Sequence, residues 1–105
     1  MKSFELKAAT MSNGLKFDYR EVLNDILRLK PQGMDLVEME KALRVIGAVK
    51  RASGTVQLED DEHQYLLARV NEHRWSVADQ AILDFSKEVR EAKAPLEVRA
   101  AEVDA

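Results

Sequence analysis

The chain has 105 residues, a net charge of −3 and no cysteine. This length predicts a single domain with a modest core, and an apolar fraction of 46% with 33% charged residues is typical of a folded soluble protein. The acidic balance gives no support to general polyanion binding. The lack of cysteine excludes disulfides, thiolate metal ligands and cysteine nucleophiles. Because no stretch resembles a signal peptide or a membrane span, we expect a cytosolic protein.

The N-terminal stretch has the alternating pattern of a β-strand. Phe4 and Leu6 alternate with polar residues, and Asn13-Gly14 supplies a turn dipeptide that tolerates positive φ angles. The pattern predicts a hairpin between residues 3–8 and 14–17. A later β-branched stretch, residues 55–58, is too short to stand alone, so we expect it to join the hairpin as a third strand.

Four segments have the apolar periodicity of amphipathic helices. Three of them begin at a capping pattern, in which Asp or Ser precedes an acidic residue by three positions: Asp18 with Glu21, Asp35 with Glu38, and Ser76 with Asp79. The remaining helix begins in the acidic run 59–62, where carboxylates suit the positive end of a helix dipole. The predicted helices cover residues 19–29, 36–52, 61–72 and 77–92.

These elements predict a mainly α fold of four helices with a small antiparallel β element near the N-terminus. Residues 1–94 form one domain in this prediction, and residues 95–105 after Pro95 form a flexible tail. The predicted buried face of the second helix is Leu36, Met39, Leu43, Ile46 and Val49, with Ala42 contributing. The whole predicted core is Phe17, Val22, Leu23, Ile26, Leu43, Ile46, Leu58, Leu66, Val70, Trp75, Ile82 and Phe85.

Catalytic and metal-binding patterns are weak in this chain. The acidic run 59–62 lacks the alternation and central glycine of a calcium loop. His63 and His73 lie about three helical turns apart, roughly 15 Å, and so cannot share a metal ion. The chain has no nucleophile elbow, phosphate loop or dinucleotide fingerprint. We therefore expect no catalytic residue, no cofactor and no small-molecule substrate, and a metal-dependent enzyme is the least favoured hypothesis.

A basic group on the second helix suggests an alternative function as a small DNA-binding transcriptional regulator. Its residues lie between positions 41 and 51: Lys41, Arg44, Lys50 and Arg51. Against this alternative, acidic residues are interleaved with the basic ones, and the basic residues gather toward the C-terminal half of the helix rather than the end that reads bases. We expect a solvated helix face and no nucleic-acid partner.

Two places suggest contact with a protein partner. Trp75, the only tryptophan, either closes the core between the third and fourth helices or, beside Arg74, forms an interface anchor. The strand carrying Val56 and Leu58 has an edge that could pair with another copy of the chain. For Trp75 we favour the core, and the partner interface stays open as an alternative.

A combination of segments resembles a group of bacteriophage proteins. The segments are NGLKFDYREVL, the break between Pro31 and Gly33, EMEKALRVIGAV, VQLEDDEHQYLLARVNEHRW and ADQAILDFSKEV. Together, over residues 12–92, they are similar to small uncharacterised proteins encoded in the late gene clusters of tailed bacteriophages and prophages. The resemblance implies a non-enzymatic role in virion assembly or as an accessory factor, in the host cytoplasm or in the virion. It implies a protein partner, which includes a second copy, and it assigns no functional residue.

Overall fold

A computed structural model of the chain describes residues 1–93, so the predicted tail, residues 95–105, lies outside the described residues. Four helices and two small antiparallel strand pairs confirm the predicted mainly α fold with a β element near the N-terminus. The elements in chain order are β1 (Lys2–Glu5), β2 (Ala8–Thr10), β3 (Lys16–Asp18), α1 (Tyr19–Arg28), α2 (Leu36–Arg51), β4 (Thr55–Leu58), α3 (Asp60–Glu72) and α4 (Gln80–Arg90).

The N-terminal stretch changes its strand partner halfway along. β1 pairs antiparallel with β4, with Phe4 opposite Val56, whereas β2 pairs antiparallel with β3, with Ala9 opposite Phe17. The hairpin therefore lies later in the chain than residues 3–8 with 14–17, and β4 joins β1 outside it. Only Gly14 in the hairpin loop has a positive φ, 88°, so the loop is longer than a two-residue turn.

Local capping explains where the first three helices begin. The Asp18 side chain accepts from the Arg20 backbone N–H at 2.9 Å, and that of Asp35 accepts from the Glu38 backbone N–H at 2.8 Å. The acidic run starts α3, where the Glu62 side chain accepts from the preceding backbone N–H of Glu59 at 2.9 Å. These contacts satisfy amide groups that the helix itself leaves without a partner.

The predicted start of α4 is wrong by three residues. Its N-cap is Asp79 instead of Ser76, and the helix begins at Gln80. Asp79 accepts from the Ala81 backbone N–H at 3.0 Å and also from the backbone N–H and hydroxyl of Ser12 in the hairpin loop. This contact spans 67 residues, so a capping pattern read along the chain could not reveal it.

The core lies where the β-hairpin meets the helices. Phe85 is fully buried at its centre, with ring centroids 5.0 Å from Tyr19 and 5.6 Å from Phe17. Nine of the predicted core residues are buried: Phe17, Leu23, Ile26, Ile46, Leu58, Leu66, Val70, Ile82 and Phe85. Two further predictions, Val22 and Trp75, are half-buried at the periphery of this cluster.

Two arginines close the C-terminal ends of helices through side-chain bonds. Arg20 donates to the last carbonyls of α2, including that of Ala52 at 2.7 Å. Arg69, which is only 3% exposed, does the same for α1. Its acceptors are the carbonyls of Ile26, Leu27 (3.4 Å) and Leu29 (3.1 Å). Each guanidinium satisfies several acceptors that a helix end leaves unpaired, so tertiary contacts complete both helices.

Candidate protein interface

An exposed apolar stripe runs along the outer side of α2. Leu36, Met39 and Leu43 are spaced three and four residues apart, which places them on one face of the helix. Their exposed fractions are 79%, 42% and 52%. We call these three residues the α2 stripe. The stripe has the spacing of a buried helix face but lies open to solvent in the single chain.

The exposure of the α2 stripe corrects the predicted buried face of this helix. Ile46 and Val49 are buried as predicted, but the stripe residues, including the predicted core residue Leu43, are not. The helix instead faces α1, α3 and β4 with Ala42, Val45, Ile46 and Val49. α2 therefore has more apolar positions than one packed face can use. That excess was visible in the sequence, but which face would be covered was not.

A shallow groove lies beside the stripe, between α2 and the end of α1. Its volume is about 200 Å³. Met39, Leu43 and Ile46 line its α2 side, and Met34 lines it from the connecting loop. Methionine side chains are unbranched and adapt to irregular surfaces. The groove can therefore accept an apolar side chain from a partner with little rearrangement of the helices.

A polar network holds the N-terminal end of α2 in place. The Lys30 ammonium group lies 2.7 Å from the Glu38 carboxylate, which also accepts from the Tyr65 hydroxyl at 3.0 Å. The Tyr65 hydroxyl in turn accepts from Arg69 at 2.8 Å. The hydrogen bond from Lys30 is the main reason that the pKa of Glu38 is lowered. These contacts tie the start of α2 to α3, so the stripe is presented on a fixed helix.

The flank of the stripe changes charge along the helix. Glu40 lies on this exposed flank in the N-terminal half of α2, and Arg44 and Arg51 follow in the C-terminal half. Glu40 and Arg44 are four residues apart and therefore neighbours on the helix surface. The apolar stripe thus has a polar border with charges of both signs, and a polar, solvent-accessible rim is usual around the core of a protein interface.

The two β4 residues predicted to contact a partner have buried side chains. Val56 and Leu58 are both 0% exposed and pack in the core. Within residues 1–93, β4 has only β1 as a strand neighbour. A partner at this place would therefore meet the backbone edge of β4 and the exposed side chains of Thr55 and Gln57.

Trp75 lies at the edge of the aromatic cluster. Its ring centroid is 6.2 Å from those of Phe17 and Phe85, and 4.6 Å from that of His73. The indole is half-buried, while the neighbouring Arg74 is exposed. Trp75 thus packs against the core on one side and leaves part of its ring at the surface.

The four basic residues of the DNA-binding alternative are divided among different environments. Lys41 lies over the Tyr65 ring, with its ammonium group 6.0 Å from the ring centroid. Arg44 and Arg51 line a groove that also contains acidic side chains. Lys50 lines a separate groove between α1 and α2, again beside acidic residues. The fold does not gather these cations into one continuous positive surface.

The histidines have structural contacts. His63 is buried, and its Nε2 atom lies 2.8 Å from the Val89 carbonyl oxygen, which joins α3 to α4. His73 packs edge-on against Trp75. Among residues 1–93, no three His, Cys, Asp or Glu side chains are grouped so that they could hold a metal ion. In the same range, no helix has both the length and the apolar character needed to cross a membrane.

Comparison with known proteins finds no match to this chain. No protein-family model matches the chain, and no curated protein or solved structure is significantly similar to it. A functional proposal therefore depends on the surfaces described above, of which the α2 stripe groups three exposed apolar side chains on one helix face.

Proposed function

We propose that this chain is a non-enzymatic protein that acts by binding another protein through the α2 stripe. The supporting observation is the exposure of Leu36, Met39 and Leu43 on a helix whose adjacent face is buried in the core. Covering the exposed portions of these side chains would contribute on the order of 3–5 kcal/mol to binding. Surface patches of this kind, bordered by charged residues, are typical of interaction sites.

The presentation of the stripe supports binding without a large rearrangement. Asp35 caps the start of α2, Arg20 closes its end, and the Lys30–Glu38 pair holds the preceding loop. Little conformational entropy is lost when a contact surface is already ordered, which favours affinity. The helix is therefore suited to serve as a ready-made docking surface.

The setting that we propose is a bacteriophage or prophage, where the protein takes part in virion assembly or works as an accessory factor. This part of the proposal rests on the resemblance to small proteins encoded in phage late gene clusters. Such a protein would act in the cytoplasm of the bacterial host or within the virion. Its partner would present an apolar helix or groove with charges complementary to Glu40 and Arg44.

Site-specific photo-crosslinking tests the proposed function in bacterial cells that are infected by the phage or in which the prophage has been induced. A photoreactive amino acid replaces Leu43 in the stripe, and a matched variant carries it in place of Leu83. Leu83 is a suitable control because it is a leucine on α4 with 64% exposure. We expect a defined protein adduct from position 43 and none from position 83. Equal labelling from both positions, or no adduct from position 43, would refute the proposed function.

A further inference from the structure

We infer that the partner covering the α2 stripe is a second copy of this chain, with the two α2 helices packed antiparallel. This inference rests on the proposed function and names its partner. A twofold symmetric contact requires a surface that is complementary to itself. The charges and apolar side chains of α2 meet that requirement in one orientation.

The charge order along α2 favours the antiparallel orientation. When two such helices pack antiparallel, the same flank of each faces the other in reversed order. A crossing point level with Ala42 then places Glu40 opposite Arg44 of the second copy, and symmetry forms this pair twice. A parallel pair would instead place this flank of each helix against the opposite flank of the other, so Glu40 and Arg44 would not meet each other.

The same crossing point also matches the apolar side chains. It brings Met39 to within about 3 Å, along the helix axis, of the level of Leu43 of the second copy, again twice by symmetry, so these two side chains can touch. Leu36 then lies level with Ala48 of the second copy, about 3 Å along the helix axis from the level of Ile46. Ile46 and Leu43 line the groove of about 200 Å³, which can receive the incoming leucine.

The size of this contact sets the expected affinity. The 16 residues of α2 span about 24 Å, and one helix pair forms an interface at the small end of the range for specific complexes. We therefore expect a weak dimer in reversible equilibrium with the monomer. A dimer of this strength dissociates on dilution, which makes its equilibrium measurable.

Analytical ultracentrifugation of the full chain tests the contact surface. We expect a reversible monomer–dimer equilibrium across about 1–500 µM protein. Leu43→Glu should weaken dimerisation by at least about tenfold, because it puts a charge into the apolar contact. Leu83→Glu is the matched control and should leave the equilibrium unchanged. Circular dichroism on each variant establishes that the helices are retained.

A charge-reversal experiment tests the antiparallel orientation. Glu40→Arg and Arg44→Glu should each weaken self-association, because like charges then face each other across the dimer. Mixing the two variants should restore a dimer, since two positive side chains on one copy meet two negative ones on the other. A contact between these residues within one helix could also weaken each variant, but mixing would not repair it.

The outcomes separate this inference from the proposed function. A wild-type chain that remains monomeric up to about 500 µM overturns the self-association. In that case a crosslink from position 43 to a different protein leaves the proposed function standing, and the absence of any crosslink removes both. If the wild type dimerises but mixing the charge variants does not restore association, the antiparallel arrangement is overturned.

Discussion

Replacing Arg69 by methionine should strongly destabilise the protein, because Arg69 is buried and donates to the carbonyls at the end of α1. Its guanidinium group is 3% exposed and donates to three carbonyl oxygens at the end of α1 and to the Tyr65 hydroxyl. Methionine keeps an unbranched apolar stem of similar length, so the packing of the stem is largely retained. The substitution therefore isolates the loss of the charged donors.

The expected size of the effect follows from these contacts. A hydrogen bond to a charged donor contributes about 1.5–3 kcal/mol, but burying the guanidinium group itself carries a desolvation penalty that offsets part of this. Breaking a buried charged network by removing one member costs about 3–5 kcal/mol. Because Arg28 and Leu29 are exposed and the bond to the Leu29 carbonyl is only partly buried, we expect the lower end, about 3 kcal/mol. For a domain of this size that corresponds to a fall in melting temperature on the order of 10–20 °C.

Urea unfolding monitored by the fluorescence of Trp75 and by circular dichroism measures this difference. Arg74→Met is the matched control, because Arg74 is exposed and its replacement should change the free energy of unfolding by less than about 0.5 kcal/mol. Arg69→Lys should fall between the two, since an ammonium group cannot reach all the acceptors of a planar guanidinium. If Arg69→Met and Arg74→Met lower stability equally, the reasoning about the α1 end is refuted.

Three further predictions concern the core, the acid stability and the basic residues. Phe85→Ala should lower the free energy of unfolding by about 3–5 kcal/mol in urea titrations, because the phenyl ring is fully buried at the centre of the aromatic cluster; a loss below about 1 kcal/mol would show that the cluster collapses around the gap. The Ser12 hydrogen bonds lower the pKa of Asp79 below its usual 3.8, so the stability that they contribute is present above that value and is lost as the pH falls through the lowered pKa. The difference in melting temperature between wild type and Ser12→Ala should therefore shrink on acidification below about pH 4, and a difference that grows there would contradict the assignment. Random duplex DNA at low salt should give no saturable anisotropy change, and binding that disappears in a Lys50→Glu, Arg51→Glu double variant would instead support the DNA-binding alternative.

Local chemistry explains which parts of the fold could be predicted. Asp18 and Asp35 cap their helices through contacts to residues two or three positions away, so the pattern in the sequence contains the whole interaction. The start of α4 differs because the Asp79 carboxylate is shared with Ser12, a residue far away in the chain. A capping pattern at Ser76 was present in the sequence, but the distant contact determined which residue became the cap.

The candidate interface could likewise be predicted only in part from local sequence. The spacing of Leu36, Met39 and Leu43 identifies an apolar face of a helix, and this much is correct. Periodicity, however, reports that a face is apolar and not that anything covers it. The neighbours of α2 approach the side of Val45 and Val49 and leave the stripe open. The proposed interface is therefore the part of the predicted buried face of α2 that tertiary packing leaves exposed.

The sequence by itself determined four helices, most of their caps, the β element and the majority of the buried residues, because these follow from short-range periodicity and capping. Only the tertiary structure decided that β1 pairs with β4, that Arg20 and Arg69 close the ends of helices, and which face of α2 remains exposed. Those features depend on residues distant in the chain meeting in space. An apolar face becomes core or interface according to what packs against it, and that information lies in the arrangement of the whole molecule.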